Sequence, residues 1–256
     1  MTVVTAARPV AGCLAVSRGD ALYDQGEVRR LFDRMAASYD RMNLVMSLGF
    51  SALWRRQALA LVDRAPTPVR VLDLMSGRGE TWSEIVRRFP GARITAVDFS
   101  EGMSAQADAR NRTAHDGDVT VLCQDALRTS IADGSIDVVV SAYGLKTFNA
   151  AQSERLADEV ARVLRPGGSF VFVDVTEPPC CLLRAAYRLY LRCVVPVAGI
   201  LLLSDPTEYR MLHRYLAAYG DGRRSVDAFT AHGALRVTTR RHFFGCATSV
   251  YGRRAD

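Results

Sequence analysis

The chain has 256 residues, 33 Lys plus Arg against 27 Asp plus Glu, a net charge of +6, 49% hydrophobic and 23% charged residues. That length and balance support a sizeable hydrophobic core and exclude disordered, collagen-like and multispanning membrane proteins. Lys146 is the only lysine, and the arginines are scattered without a block of five or six cations, which argues against nucleic acid as a partner.

Residues 1–20 hold Val10-Ala11-Gly12-Cys13, which imitates a lipoprotein cleavage box. Arg8 and Pro9 interrupt the apolar run of roughly 7–15 residues that a secretory signal needs, so a disordered tail is expected, followed by one domain over 21–256. From Gly26 to about Leu61 the residues Leu31, Met35, Tyr39, Met42, Val45 and Met46 recur at intervals near three and four, which predicts a helical cap over 21–65. Five short β-rich runs follow at 69–74, 93–98, 119–123, 136–142 and 169–175, separated by polar or amphipathic stretches. This alternation predicts a parallel sheet flanked by helices, an α/β fold. Two further strands are expected at 234–243 and 246–252. Neither the six cysteines nor His115, His213, His232 and His242 show metal-ligand spacing, so no metal is expected and free thiols in a cytoplasmic protein are the plain reading.

The first strand runs into Asp73-Leu74-Met75-Ser76-Gly77-Arg78-Gly79. A nicotinamide-binding turn would place a third glycine where Trp82 stands, and a Walker loop would need Gly-Lys-Ser/Thr, so both readings weaken. Asp98 lies nineteen positions after Gly79, at the end of the second strand, and Asp125 follows the third. Three acids at successive strand ends converge on one rim of a parallel sheet, where open α/β sheets bind ligands. Asp98 can accept hydrogen bonds from a ribose diol and Asp125 can reach an adenine amine. A ligand with a sugar and a base but no phosphate is indicated, and S-adenosylmethionine is the common one. The candidate cofactor-binding residues are Asp73, Ser76, Gly77, Gly79, Asp98, Asp125, Ala126 and Ser141.

The run from Cys180 to Leu203 is strongly apolar, but Arg184, Arg188 and Arg192 sit inside it and Pro196 to Gly199 breaks it, which argues against a membrane span. Three readings stay open: a lid or substrate wall over 179–215, a membrane-surface helix, or an arginine row for a diphosphate-bearing substrate. A dimer or core helix is the plainer alternative. Arg184, Tyr187, Arg188 and Leu191 are the candidate substrate contacts.

VRRLFDRMAASYDRMNLVMSLGFSALWRR (28–56), VLDLMSGRGE (71–80), AVDFSEGM (96–103), SAYGLK (141–146) and VLRPGGSFVFVDVTEP (163–178) resemble the ubiquinone/menaquinone C-methyltransferase family of class I methyltransferases. The resemblance runs from about Asp33 to Pro178 and more loosely to the chain end. Its most specific element is Tyr39, Asp40, Met42 and Asn43 with Trp54. It implies a Rossmann-like seven-stranded sheet, mostly parallel with the last strand antiparallel, an N-terminal helical segment, a helical lid inserted after the fifth strand, and S-adenosylmethionine as methyl donor. Tyr39 would close over the donor, with Trp54 behind it. Tyr143-Gly144-Leu145-Lys146-Thr147 stands where the family has Phe-Gly-Leu-Arg-Asn, on the reaction side.

Methyl transfer from a sulfonium needs alignment and exclusion of water more than a strong base. For an enolisable or phenolic carbon, a base or oxyanion stabiliser helps, and Lys146, Tyr143 and His242 are the candidates. The expected function is C-methylation of a lipophilic or aromatic small molecule: quinol-like, a specialised metabolite, or a prenyl diphosphate. A donor-binding cyclase or rearrangement catalyst and an O-methyltransferase are the alternatives. Peripheral membrane contact and a homodimer are open.

Overall fold

The computed structural model describes residues 20–37, 39, 47, 49–63, 68–194 and 207–256. The expected tail over 1–19, the motif residues Asp40, Met42 and Asn43, and 195–206 of the apolar run lie outside them.

After a 3₁₀ turn at Asp20–Tyr23, helix α1 spans Gln25–Met35. Asp24 caps it by accepting the Glu27 amide, and Val28, Leu31 and Met35 form its buried face. Within the predicted helical cap, α1 ends at Met35, and α2 (Phe50–Leu59) begins after Gly49, which sits at φ 80°. A left-handed residue cannot continue a helix.

The sheet comprises β1 (Arg70–Leu74), β2 (Arg93–Asp98), β3 (Thr120–Cys123), β4 (Ile136–Ala142), β5 (Leu164–Val175), β6 (Leu235–His242) and β7 (Ala247–Arg254). Its order is β3-β2-β1-β4-β5-β7-β6. The first five strands pair in parallel, and β7 is antiparallel to both β5 and β6. The expected architecture, seven strands with the last one reversed, is therefore present. Strand β5 starts five residues earlier than its apolar run, because Leu164 pairs with Ile136 and the register shifts before Val138 pairs with Ser169. Arg165 to Gly168 is the irregular segment that absorbs the shift.

Helices α3 (Trp82–Arg88), α4 (Glu101–Ala114), α5 (Ala150–Val163), α6 (Cys181–Leu189), α7 (Thr207–Tyr219) and α8 (Arg223–Ala231) complete the described chain. Alternation along the strands divides the core between two faces. Leu72, Leu74, Val139, Phe170 and Phe172 meet α5 and Phe229 of α8 on one side. Val71, Val138, Val140, Val171 and Val173 meet Trp54, Trp82 and Ile85 on the other. A third cluster joins α1 to α7 through Val28, Leu31, Met35, Leu212, Tyr215 and Leu216, and fixes the cap over the sheet rim. Each such side chain contributes about 1.5–3 kcal/mol relative to its exposed state.

The chain returns from β3 to β4 across β1, so strand order reverses between β1 and β4. The carboxyl ends of those strands form the crevice where this class of sheet binds ligands.

Candidate active site

The turn after β1 carries Met75 and Gly77 at φ 55° and 56°, and Gly79 at φ 82°. It folds back so that the Ser76 amide donates to the Val97 carbonyl at 3.0 Å. Asp98, the last residue of β2, is thereby clamped: one carboxylate oxygen accepts the Gly77 amide at 2.8 Å and the other the Ser100 amide at 3.0 Å. Each oxygen keeps a further lone pair. Burial, which outweighs these bonds, raises the Asp98 pKa to about 6. After β3, Asp125 accepts the Leu127 amide at 2.9 Å and the Gln25 side-chain amide, from the cap, at 3.1 Å.

These groups open onto a cavity of about 640 Å³ that is continuous with solvent. Of the candidate cofactor residues, Tyr39, Gly77, Asp98, Asp125 and Ala126 line it. Asp73, Ser76, Gly79 and Ser141 do not. Asp73 is fully buried, and burial, reinforced by the charge of Glu80, pushes its pKa well above the usual carboxylate range. Neither of its oxygens has a hydrogen-bond partner, nor do the buried hydroxyls of Ser76 and Ser141. Gly79 meets a packing demand: a Cβ there would stand 2.6 Å from the Trp82 ring. The missing side chain of Gly79 thus makes room for Trp82, not for a ligand.

The cap supplies walls that the acid pattern did not indicate: Tyr23, Gln25, Val28 and Phe32 line the same cavity, with Phe99 after β2 and Met103 of α4. Asp33 of α1 accepts hydrogen bonds from the Ser100 hydroxyl at 2.5 Å and the Gly102 amide at 3.0 Å, which fastens the cap to the start of α4. Amphipathic periodicity announces α1, but not the face it turns to the rim. Trp54, expected behind Tyr39, stacks on Phe50 at 5.8 Å in the core under α2 and lines neither cavity described here.

A second cavity, of about 500 Å³, adjoins the first; Tyr39 and Tyr143 line both. Its remaining walls are Ser47, Ser51, Lys146, Val175, Tyr187, Leu212 and Leu216. Lys146 is buried. Its ammonium lies 3.2 Å from an Asp174 oxygen and also bonds to the Tyr143 carbonyl. Asp174 has no solvent exposure and additionally accepts the Lys146 amide at 3.0 Å and the Val175 amide at 2.7 Å. This acid escaped the sequence reading, although a lone Asp in the apolar run Phe170-Val171-Phe172-Val173-Asp174-Val175 was a visible signal.

Tyr143 stands at φ 68° just past β4, and its hydroxyl donates to the Ser51 carbonyl at 2.6 Å. Burial raises its pKa far above the ordinary phenol value, so it holds its proton and serves as wall. The following Gly144 permits this turn: a Cβ would meet the Met75 sulfur at 2.4 Å.

Three other expectations are corrected. His242 ends β6, buried, with its ring 2.8 Å from the Ser249 hydroxyl; it lines neither cavity, because β7 separates β6 from β5. Arg184 donates to the carbonyls of Pro178 and Pro179, and Arg188 makes a two-pronged pair with Glu177, so these two arginines brace the chain's own connection and are not presented to a diphosphate. Leu191 packs in the core beneath α1 and α7. Only Tyr187 of that set reaches a cavity.

A family model described as the ubiE/COQ5 methyltransferase family matches residues 21–254. The demethylmenaquinone methyltransferase of Clavibacter sepedonicus is 35% identical over 226 residues, covering 87% of this chain and 88% of that protein. That of Thermus thermophilus is 35% identical over 208 residues, 81% and 88%. A ubiquinone/menaquinone biosynthesis C-methyltransferase of Desulfotalea psychrophila is 31% identical over 218 residues, 85% and 86%. Among solved structures, a SAM-dependent methyltransferase of Aquifex aeolicus aligns with a TM-score of 0.55 at 15% identity, covering 84% of this chain and 98% of that one, a likeness of fold alone. With the clamped Asp98 and the rim cavity in the same fold, these matches establish that the chain belongs to the ubiE/COQ5 methyltransferase family, enzymes that use S-adenosylmethionine as methyl donor.

Proposed function

We propose that this enzyme methylates a carbon of a quinol-type aromatic acceptor, with S-adenosylmethionine in the larger cavity and the acceptor in the smaller one. The observation that carries the reading is the pair of adjoining cavities with Tyr39 and Tyr143 in their common wall, one edged by Asp98 and Asp125, the other apolar around a single buried ion pair. The naming of relatives as demethylmenaquinone methyltransferases supports the choice of a quinone precursor.

The donor fits the residues present. Asp98 offers two spare acceptor positions for vicinal hydroxyls, and Gly77 leaves the turn without a side chain. Asp125 and Ala126 suit the base, and Tyr39 with Phe32 at 6.1 Å forms an aromatic roof. When bound, S-adenosylmethionine supplies a methyl group on a sulfonium that leaves as a neutral thioether.

The chain's own contribution is placement and charge. Apolar walls from Val175, Leu212, Leu216 and Tyr187 exclude water from the acceptor. The Lys146 ammonium is held by Asp174 beside that space, where it stabilises a phenolate whose ring carbon becomes the nucleophile. Asp174 is a positioning residue: it fixes the lysine and is itself fixed by two backbone amides. The acceptor gives up its hydroxyl proton as the phenolate forms, and once the ring carbon has taken the methyl the ring proton moves to that oxygen as the ring re-aromatises, so each turnover releases one proton in total.

The test is incubation with donor carrying a labelled methyl group and a panel of quinols, phenols, polyketides and prenyl diphosphates, with product analysis by mass and by the position of the label. Label on a ring carbon of a quinol is expected. Label on oxygen, on a prenyl diphosphate only, or a rearranged product without mass gain would overturn the reading.

A further inference from the structure

Outside the two cavities, one surface of the same rim breaks the ordinary pattern of a solvated face. Phe244 is 75% exposed and Phe243 49% exposed, and both hold left-handed backbone, φ 55° and 40°. Bulky residues rarely accept that conformation. Glycine or asparagine would occupy this turn more readily, so a demand other than local folding keeps two phenylalanines there. Phe243 stacks on Phe50 at 4.4 Å, Phe50 stacks on buried Trp54 at 5.8 Å, and Phe244 meets Phe243 edge-on at 5.4 Å. The rings form a ladder from the core out into solvent.

Helix α6 lies beside this turn: a Cβ on Gly245 would stand 2.6 Å from Pro179, and the Thr176 hydroxyl donates to the Gly245 carbonyl at 2.9 Å. Its Tyr187 faces inward to the smaller cavity, while Leu182, Ala185, Ala186 and Leu189 are exposed, Leu182 at 76% and Leu189 at 63%. Those positions, i, i+3, i+4 and i+7, make one apolar stripe on a helix. Leu53 of α2 adds a further exposed apolar side chain. Exposed Arg188 lies on α6 and exposed Arg192 just after it, exposed Arg56 follows Leu53 by three residues on α2, and the stem of exposed Arg241 stands 3.7 Å from where a Cβ on Gly245 would be. Glu177, just before α6, is engaged with Arg188.

We propose that this surface, the Phe243-Phe244 turn with the outer stripe of α6, seats the protein on an anionic lipid bilayer. Phenylalanine and leucine side chains enter the headgroup boundary while flanking arginines meet lipid phosphates, the combination that holds peripheral proteins at membranes. The charge around the patch selects a bilayer over an apolar protein face, and Ser51 of α2 and Tyr187 of α6 connect the patch directly to the smaller cavity.

The experiment is vesicle co-sedimentation of the full chain with phosphatidylcholine vesicles, alone or with about a third phosphatidylglycerol, in the absence of donor and acceptor. Binding is therefore read independently of the proposed reaction. The wild-type protein should partition onto the anionic vesicles at least tenfold more strongly than onto the neutral ones, and less so in high salt. Phe244→Ser and, separately, Leu182→Gln with Leu189→Gln should each weaken that partitioning about tenfold or more, with unchanged melting temperature and unchanged turnover on a water-soluble acceptor. The helix pair serves as the readout if the turn variant fails to fold. No vesicle binding by the wild-type chain, equal binding by both variants, or a wild-type dimer that the variants dissolve would overturn the proposal; the last would assign the face to a second copy of the chain.

Discussion

Replacing Asp98 by Asn separates the donor site's chemistry from the stability of the fold. Asp98 is buried and its pKa stands near 6, roughly two decades of proton affinity above an ordinary aspartate. At about 1.4 kcal/mol per decade, keeping this carboxylate ionised at pH 7 costs the fold on the order of 3 kcal/mol. The native state binds the proton more tightly than the unfolded chain, so stability falls as pH rises through the window from about 4 to about 6 and is level above it. Asn removes that charge but can accept from only one of the two amides, Gly77 or Ser100, and leaves the other buried donor short, at a cost of about 1–3 kcal/mol. The net expectation at pH 7 is a ligand-free protein as stable as the wild type or more so by up to about 2 kcal/mol. Donor binding should move the opposite way, since the ribose loses hydrogen bonds to a charged group, about 1.5–3 kcal/mol, a weakening of roughly ten- to 150-fold. Calorimetric titration with S-adenosylmethionine, alongside denaturant unfolding at pH 5 and pH 7, measures both. Unchanged donor affinity in Asp98→Asn, or wild-type donor affinity that stays flat as pH falls from 7 to 5, would refute this reasoning.

Lys146→Met keeps most of the aliphatic stem but removes the ammonium from beside Asp174; turnover should fall tenfold or more with donor affinity nearly unchanged, and Lys146→Arg should recover part of it, as steady-state kinetics with separate donor titration would show. The same Met variant strands the Asp174 carboxylate, so its unfolding should shift by several kcal/mol, about 3–5 by precedent for broken buried pairs, reduced by the two backbone amides that Asp174 retains. Tyr187→Ala should raise the acceptor's KM, because its ring faces the smaller cavity, whereas Leu191→Ala should lower stability by about 2–5 kcal/mol and leave that KM in place.

The five strands of the parallel sheet and the convergence of Asp98 and Asp125 on one rim were legible in the sequence, because buried parallel strands are short apolar runs and the acids terminate them in phase. What was not legible has physical reasons. Asp73 shares the strand-end spacing of the other acids, but period-two alternation turns it into the layer under α2 and α3 with Val71, away from the cavity wall. His242 looked like a base from composition alone; its separation from the site depends on β7 inserting between β5 and β6, a pairing that no local pattern encodes. Arg184 and Arg188 sit on one helical face as their spacing required, yet their partners Pro178, Pro179 and Glu177 come from the connection just before the helix, and sequence spacing cannot choose between those and a ligand. The resemblance located Lys146 at the reaction side, but its burial against Asp174 depends on β4 and β5 being neighbours.

The wall common to the two cavities has a thermodynamic corollary. A ligand seated against Tyr39 and Tyr143 from one side narrows the orientations these rings can take on the other. Whatever factor the donor imposes on acceptor affinity, the acceptor must impose on donor affinity in return, since coupling between two sites is reciprocal. Neither binding constant is then a property of one cavity; each has a value only with the contents of its neighbour specified.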